Sequence, residues 1–257
     1  MILAQLSDPH MRLGEGAAAA RESLAAGVAA VLALRPHPDA VLVSGDLADT
    51  AAAEEYRIVR ELLAPLPMPV HVLGGNHDDR DALREWFPVA GASASPSGTE
   101  AASPAPSAEY RYAIEVGGVR LVVCDSTVPG RPEGRLDLEW LEAQLDAPAV
   151  VVAMHHPPFV LGMPALDEIA LGAEDTAALA GLLERSPQVL RVICGHTHRA
   201  AFTTLGGRGV FTCPGVHLTA RLEIGAPDYT MAAEPPAFAL HVMLDGTVTT
   251  HVQPIER

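Results

Sequence analysis

The sequence predicts an α/β protein in which two mixed β-sheets pack face to face with helices on their outer sides. Three observations predict it. Through the first third of the chain, apolar runs of strand length alternate with Ala- and Leu-rich stretches of helical spacing, a βαβαβ order that implies a parallel sheet with right-handed crossovers. Later, apolar runs come in pairs across Gly-Gly or Asp-Gly, the signal of β-hairpins. Finally, five apolar runs each end in a short polar block: Ser7-Asp8-Pro9-His10, Gly45-Asp46, Gly74-Gly75-Asn76-His77-Asp78, His155-His156-Pro157-Pro158 and Gly195-His196-Thr197-His198.

Each element follows from its pattern. Residues 2–6 are a short apolar run and predict a buried strand. Residues 21–34 have helical spacing and stop at Pro36 and Pro38. A strand at 40–43, a helix at 52–63 closed by prolines, a strand at 69–73 and a short helix at 79–86 complete the first third. Strands at 110–116 and 119–124 flank Gly117-Gly118, and an amphipathic helix follows at 136–145. A fully apolar strand at 149–154, a helix at 175–185 and a strand at 189–194 come next. Two further pairs close the chain: 201–205 with 210–213 across Gly206-Gly207, and 237–244 with 247–252 across Asp245-Gly246. Residues 90–108 hold little except Ala, Ser, Pro, Gly and Thr, a composition that cannot bury a core. They are expected to form a surface insertion without fixed structure, inside a single domain spanning 1–257, because strands continue on both sides.

Composition narrows the function. With 49% hydrophobic and 19% charged residues, the chain of 257 residues is globular and long enough to bury a sizeable core. A net charge of −15 argues against binding a nucleic-acid polymer, which needs a basic face. Cys124, Cys194 and Cys213 are too few and too scattered for a disulfide framework and read as buried thiols of a reducing compartment. Residues 2–6 are too short for a signal-peptide core, and no apolar run reaches the roughly 18 residues of a membrane span. The expected location is the cytoplasm.

The polar blocks carry the chemistry. All five follow predicted strands, at the sheet edge where loops converge and ligands collect in α/β proteins. They offer carboxylate, imidazole and one carboxamide, the donors that hard and borderline metal ions take. Asp8 and His10 are two apart, so in an extended segment they share a face; His196 and His198 repeat that spacing. Gly45 permits close backbone approach beside Asp46, a carboxylate able to bridge two ions. Asn76 offers a neutral oxygen, which leaves its metal a stronger Lewis acid. His37, His71, His241 and His251 lie in or beside apolar patterns and are assigned structural roles, with His217 a candidate for the pocket wall.

Asp8-Pro9-His10, Gly45-Asp46, Gly75-Asn76-His77-Asp78, His155 and Gly195-His196-Thr197-His198 together resemble the calcineurin-like metallophosphoesterase superfamily. Three longer stretches, 45–49, 75–80 and Glu234-Pro235-Pro236-Ala237-Phe238, resemble its class III cyclic nucleotide phosphodiesterase branch, which includes glycerophosphodiesterases. The resemblance covers roughly residues 1–243. It implies a four-layer αββα sandwich with a dinuclear centre. Asp8, His10, Asp46 and His198 would hold one ion, and Asp46, Asn76, His155 and His196 the other. His155 is preferred over His156, which would stand behind it. Ala51 departs from the family pattern, where Gly is frequent, and this affects a loop and not a ligand.

The expected reaction is hydrolysis of a small anionic phosphodiester, cAMP-type cyclic nucleotides or glycerophosphodiesters, by in-line attack of a metal-bridging hydroxide. His77, not needed as a ligand, is the candidate general acid, and Asp49 or Asp78 the candidate to orient a histidine. The donor set admits iron, manganese, zinc or cobalt. Near the motifs, Arg80 and Arg199 are the main cations, and their scarcity favours diesters over monoesters. The loop after His155, residues 159–174, is expected to shape the pocket or an oligomer contact, and relatives suggest a homo-oligomer, dimer or larger. Rival readings are a phosphomonoesterase or nucleotidase of the same fold, and an inactive binding scaffold.

Overall fold

A computed structural model describes residues 1–89, 108–232 and 234–256. The insertion expected at 90–108 therefore lies, except for Ala108, outside the described residues. From the amino end, β1 (Ile2–Leu6), α1 (Ala17–Ala33), β2 (Ala40–Ser44), α2 (Ala53–Leu63), β3 (Val70–Leu73) and α3 (Arg80–Trp86) follow one another. The three strands pair in parallel, as helical crossovers require. Next come β4 (Tyr112–Val116), β5 (Val119–Val123), α4 (Leu138–Gln144), β6 (Val150–Ala153), α5 (Pro164–Asp167), α6 (Ala173–Glu184), β7 (Val189–Cys194), β8 (Ala201–Leu205) and β9 (Arg208–Thr212). A small ribbon, β10 (Thr219–Ala220) with β11 (Met231–Ala232), precedes the closing hairpin of β12 (Ala237–Leu244) and β13 (Thr247–Pro254).

These strands form a sheet of order β13-β12-β1-β2-β3 and a sheet of order β4-β5-β6-β7-β9-β8. In the second, β5, β6, β7 and β9 run parallel while β4 and β8 are antiparallel edges. Side-chain alternation explains how two layers stack. In β5, Leu121 and Val123 join the core shared with the first sheet, whereas Val122 joins the core under α4 and α6. β6 divides the same way, Val151 and Ala153 from Val150 and Val152. Strands buried on both faces need no polar alternation, which is why β2 and β6 read as continuous apolar runs. Each fully buried aliphatic side chain contributes about 1.5–3 kcal/mol.

Differences from the sequence reading are local. Helix α1 begins at Ala17 instead of residue 21, because Ala17 to Ala20 are strong helix formers behind Gly16 in the left-handed conformation. The ribbon and the single turn of α5 leave no periodic signal, being too short. Ala51 sits at φ 57°, a region Gly occupies without strain. It is held there by the buried Glu55 carboxylate, which accepts from the backbone N–H groups of Thr50 and Ala52 on either side.

One polar seam runs between the sheets. Gln5 on β1 is fully buried, and its amide donates to Ser44 Oγ at 2.8 Å and to the Cys194 carbonyl at 2.9 Å. Its oxygen lies 2.9 Å from His241 Nε2, and His241 Nδ1 lies 2.9 Å from Thr250 Oγ1. Burial holds the His241 pKa down to about 3, so the ring is neutral and donates to Gln5. A structural role for His241 follows from these contacts.

Candidate metal centre

The five polar blocks all lie at the carboxyl ends of parallel strands, three from β1, β2 and β3 and two from β6 and β7. Asp8, His10, Asp46, His196 and His198 have positive φ, between 40° and 71°. The extended geometry expected for Asp8–His10 and His196–His198 is therefore replaced by left-handed kinks, which turn the side chains inward. Asp and His tolerate this conformation better than most residues, yet each instance costs of order 1–3 kcal/mol. Glycine makes room beside them. A Cβ at Gly45 would strike the His155 ring, and one at Gly75 would strike Asp46.

Two groups of donors stand out among four overlapping clusters of the described residues, the others adding His156 to His155 and His196, and joining Asp49 and His77 to His10. In one, His10 Nε2 and His198 Nε2 face each other at 3.1 Å, with Asp8 alongside. The second nitrogens are engaged: His10 Nδ1 with Asp49 Oδ1 at 3.3 Å, and His198 Nδ1 with the Leu218 carbonyl at 3.1 Å. In the other, His155 Nε2 faces His196 Nδ1 at 3.2 Å, while His155 Nδ1 donates to the Ser44 carbonyl at 3.0 Å. Asp46 lies between the groups, its Oδ2 being 3.4 Å from His10 Nε2 and 3.4 Å from His155 Nε2. Its Oδ1 accepts from the His77 backbone N–H at 2.9 Å.

Unsatisfied atoms point the same way. Asp8 Oδ2, Asn76 Oδ1 and His196 Nε2 are buried without a hydrogen-bond partner. Such groups cost about 1–3 kcal/mol each unless a ligand satisfies them. Charge points there too. Burial opposes protonation of His155, yet the Asp46 and Asp8 carboxylates raise its pKa to about 9. Burial likewise opposes ionisation of Asp46, but His155 and His10 hold its pKa well below the carboxylate range. Facing imidazole nitrogens, orphaned oxygens and anionic charge suit bound metal ions.

The remaining site residues fall into place around this array. His156, next to His155, is turned away: Nδ1 meets Ser126 Oγ at 2.8 Å and Nε2 the Pro132 carbonyl at 3.0 Å. Burial pushes its pKa down to about 3. His77 is exposed at the rim, 4.7 Å centroid to centroid from His10, and its Nδ1 donates to the Asp49 carbonyl at 2.8 Å. The residue lines the cavity over the centre. Asp49 supports His10, while Asp78 orients no histidine. Instead its carboxylate accepts from the backbone N–H groups of Leu47, Ala48 and Gly75, fastening the loops after β2 and β3 together. His217 does not line the centre's cavity; its Nδ1 lies 3.2 Å from Ser23 Oγ on α1.

The cavity over the centre has a volume of about 290 Å³. A larger cleft of about 910 Å³ adjoins it through Leu218 and Met231, and another of about 1030 Å³ lies elsewhere; neither carries such a donor cluster among the described residues. The arginines named from sequence do not line the cavity over the centre. Arg80 pairs with Asp125, and Arg199 with Glu234. Arg12 does line it, bound to Asp49 at 2.8 Å, and sequence reasoning missed it for lack of any motif beyond its nearness to His10. Leu166 and Ile169, from the loop expected to shape the pocket, are in its wall. So are Tyr229 and Met231, whose polar, Gly- and Pro-containing surroundings gave only a loop signal.

A site of this composition on paired sheets has known counterparts. The model of the calcineurin-like phosphoesterase family matches residues 1–200. A glycerophosphodiester phosphodiesterase, GpdQ, from Enterobacter lignolyticus is 35% identical over 94% of this chain and 86% of its own. A 3′,5′-cyclic adenosine monophosphate phosphodiesterase, CpdA, from Pseudomonas aeruginosa is 27% identical over 100% of this chain and 90% of its own. In structure, a dimetal phosphatase from Danio rerio superposes with a TM-score of 0.67 at 17% identity, covering 100% of this chain and 99% of that one. The chain belongs to the calcineurin-like phosphoesterase family and is a hydrolase of phosphate esters. No helix among the described residues is long and apolar enough to cross a membrane.

Proposed function

We propose that this phosphoesterase is a dinuclear metal-dependent phosphodiester hydrolase acting on small anionic diesters, cAMP-type cyclic nucleotides foremost and glycerophosphodiesters second. The whole chain would form one catalytic domain, and its three buried free thiols suit the cytoplasm. The observation that carries the reading is the position of Asp46, with one carboxylate oxygen 3.4 Å from an imidazole nitrogen of each donor group. Asp8, His10, Asp46 and His198 would hold one ion; Asp46, Asn76, His155 and His196 would hold the other. Iron, manganese, zinc and cobalt all suit these donors. Bound there, two such ions supply Lewis acidity toward a phosphate oxygen and acidify water near neutral pH.

The chain's own residues do the rest. Asn76 adds a neutral oxygen, so its side of the centre keeps more positive charge for the substrate. His77, held by its backbone to Asp46 and by Nδ1 to Asp49, lines the cavity, where a protonated ring can hand a proton to the departing alkoxide. Asp49 fixes His10 and neutralises Arg12.

That last pairing favours diesters. Arg12 is the one arginine lining the cavity among the described residues, the chain has no lysine, and the guanidinium is already matched by Asp49. Among the described residues no unmatched arginine lines the cavity for the second charge of a monoester. The names of the two relatives support the diester reading, one through glycerophosphodiesters and the other through cyclic AMP.

The test is a hydrolysis panel run with Mn²⁺: 2′,3′-cAMP, 3′,5′-cAMP, glycerophosphocholine, and the mono- and bis-nitrophenyl phosphates. Diesters are expected to be cleaved faster than the monoester, with activity lost in Asn76→Ala. Faster monoester cleavage would overturn the diester assignment, and bound metal without any hydrolysis would favour a binding scaffold.

A further inference from the structure

The metal-binding floor is only part of the cavity wall. The rest of the wall is largely apolar, built from Leu166 of α5 and Ile169 just after it and from Leu218, Tyr229 and Met231 at the β10–β11 ribbon. These two segments are far apart in sequence yet tied together. Met163, Leu166 and Ala220 form one buried cluster, and Gly225 N–H donates to the Gly162 carbonyl at 2.8 Å. The roof is thus a braced surface.

We propose that this roof is the subsite for the organic substituent of the diester, and that it selects a planar, nucleobase-type group over a glycerol-type one. The proposal rests on the phosphodiesterase reading and adds the substituent class.

Three features support it. Tyr229 and Met231 remain 40% and 39% exposed although large and apolar, and they share one cavity mouth. Exposed apolar side chains grouped at a concave site mark a place where a ligand is received. A flat ring stacks on tyrosine and also meets the polarizable thioether of methionine favourably.

The second feature is what the roof lacks. The carboxylates lining the cavity, Asp46 and Asp49, belong to the floor, and Asp49 is matched by Arg12. Among the described residues lining the roof there is no carboxylate to pair with an ammonium head group, and the Tyr229 hydroxyl is its one side-chain hydrogen-bonding group for a polyol. Size is the third feature. The cavity of about 290 Å³ shares Leu218 and Met231 with an adjoining cleft of about 910 Å³, which gives a flat ring room beyond the donors.

The experiment compares the parent with Tyr229→Ala and Tyr229→Phe, all loaded with Mn²⁺. Hydrolysis arms take kcat/KM for 3′,5′-cAMP and for glycerophosphoethanolamine; binding arms take calorimetric Kd values for 5′-AMP and for glycerol 3-phosphate. Removing a stacking partner should reduce the preference for the adenine compound about tenfold in both arms, with Tyr229→Phe retaining it. An unchanged ratio in Tyr229→Ala would overturn the subsite, as would a parent that binds glycerol 3-phosphate as tightly as 5′-AMP. A parent that binds 5′-AMP through Tyr229 but cleaves neither diester would sink the diesterase reading while leaving the subsite standing.

Discussion

The two sheets bring different chemistry to the centre. Strand ends of the first sheet supply the oxygen donors Asp8, Asp46 and Asn76 and a single imidazole, His10. Those of the second supply imidazoles alone, His155, His196 and His198. The anionic half raises the pKa of His155 in the other half, and each half completes the other. Neither sheet alone supplies both groups, since His198 of the second sheet joins Asp8 and His10 of the first, and Asp46 of the first stands beside His155 of the second, so the centre depends on how the sheets register. Gln5 supplies part of that registration. It reaches from β1 to the Cys194 carbonyl, just before Gly195-His196, and to Ser44, whose carbonyl holds His155.

The comparison can be broken most severely at Asp46, where the halves meet. Asp46→Asn should lower turnover by about three orders of magnitude or more, as removing a member of a cooperating group does. Steady-state rates at matched metal content check this, and a loss within tenfold would deny Asp46 its shared position.

His77 belongs to the oxygen-rich side, clustered with His10 and Asp49. His77→Ala should slow alkoxide-releasing diesters about 10²–10⁴-fold while slowing nitrophenolate release much less, with metal content unchanged. An equal loss for both leaving groups would remove its role as acid.

A smaller effect is expected at Asp49, which fixes His10 without joining the donors. Asp49→Asn should weaken Mn²⁺ binding about 10–100-fold, read by calorimetric titration, because groups that orient metal-bound histidines act on this scale. Unaltered affinity would make the contact incidental.

The gentlest probe is pH, through the seam. Burial, aided by Arg191, keeps the folded pKa of His241 at about 3, below the value near 6.5 of an unfolded chain. Between those values the unfolded state takes up a proton that the folded state refuses. Stability from this group is therefore complete above about pH 6.5 and shrinks as pH falls toward 3, at up to about 1.4 kcal/mol per pH unit. His241→Gln should flatten the decline of the thermal midpoint on acidification. An unchanged slope would assign the acid sensitivity to other groups such as His156, which burial also holds to about 3.

Much of the fold was legible because apolar periodicity and turn residues are local signals. The five polar blocks that gather at the candidate centre were legible too, since each pairs unusual residue types with the end of an apolar run. The left-handed backbone of Asp8, His10, Asp46, His196 and His198 was not, because no glycine marks those positions. Adjacent histidines also cannot be told apart by pattern. His155 points to Asp46 and His156 to Ser126 and Pro132 because of where β6 ends relative to neighbouring loops. For the same reason Asp78 accepts from backbone amides, and His217 meets Ser23 and lines the cleft adjoining the centre's cavity.

By itself, the sequence determined the α/β alternation, the edge at which chemistry gathers and the donor types offered there. Those properties are written in runs of a few residues, where side-chain polarity and strand or helix spacing decide the outcome. Only the tertiary structure decided that Asp46 stands between two donor groups, that Arg12 is matched by Asp49, and that Tyr229 and Met231 roof the cavity. Each joins segments distant in sequence, and such meetings are set by sheet packing and backbone strain, which no short stretch of residues encodes.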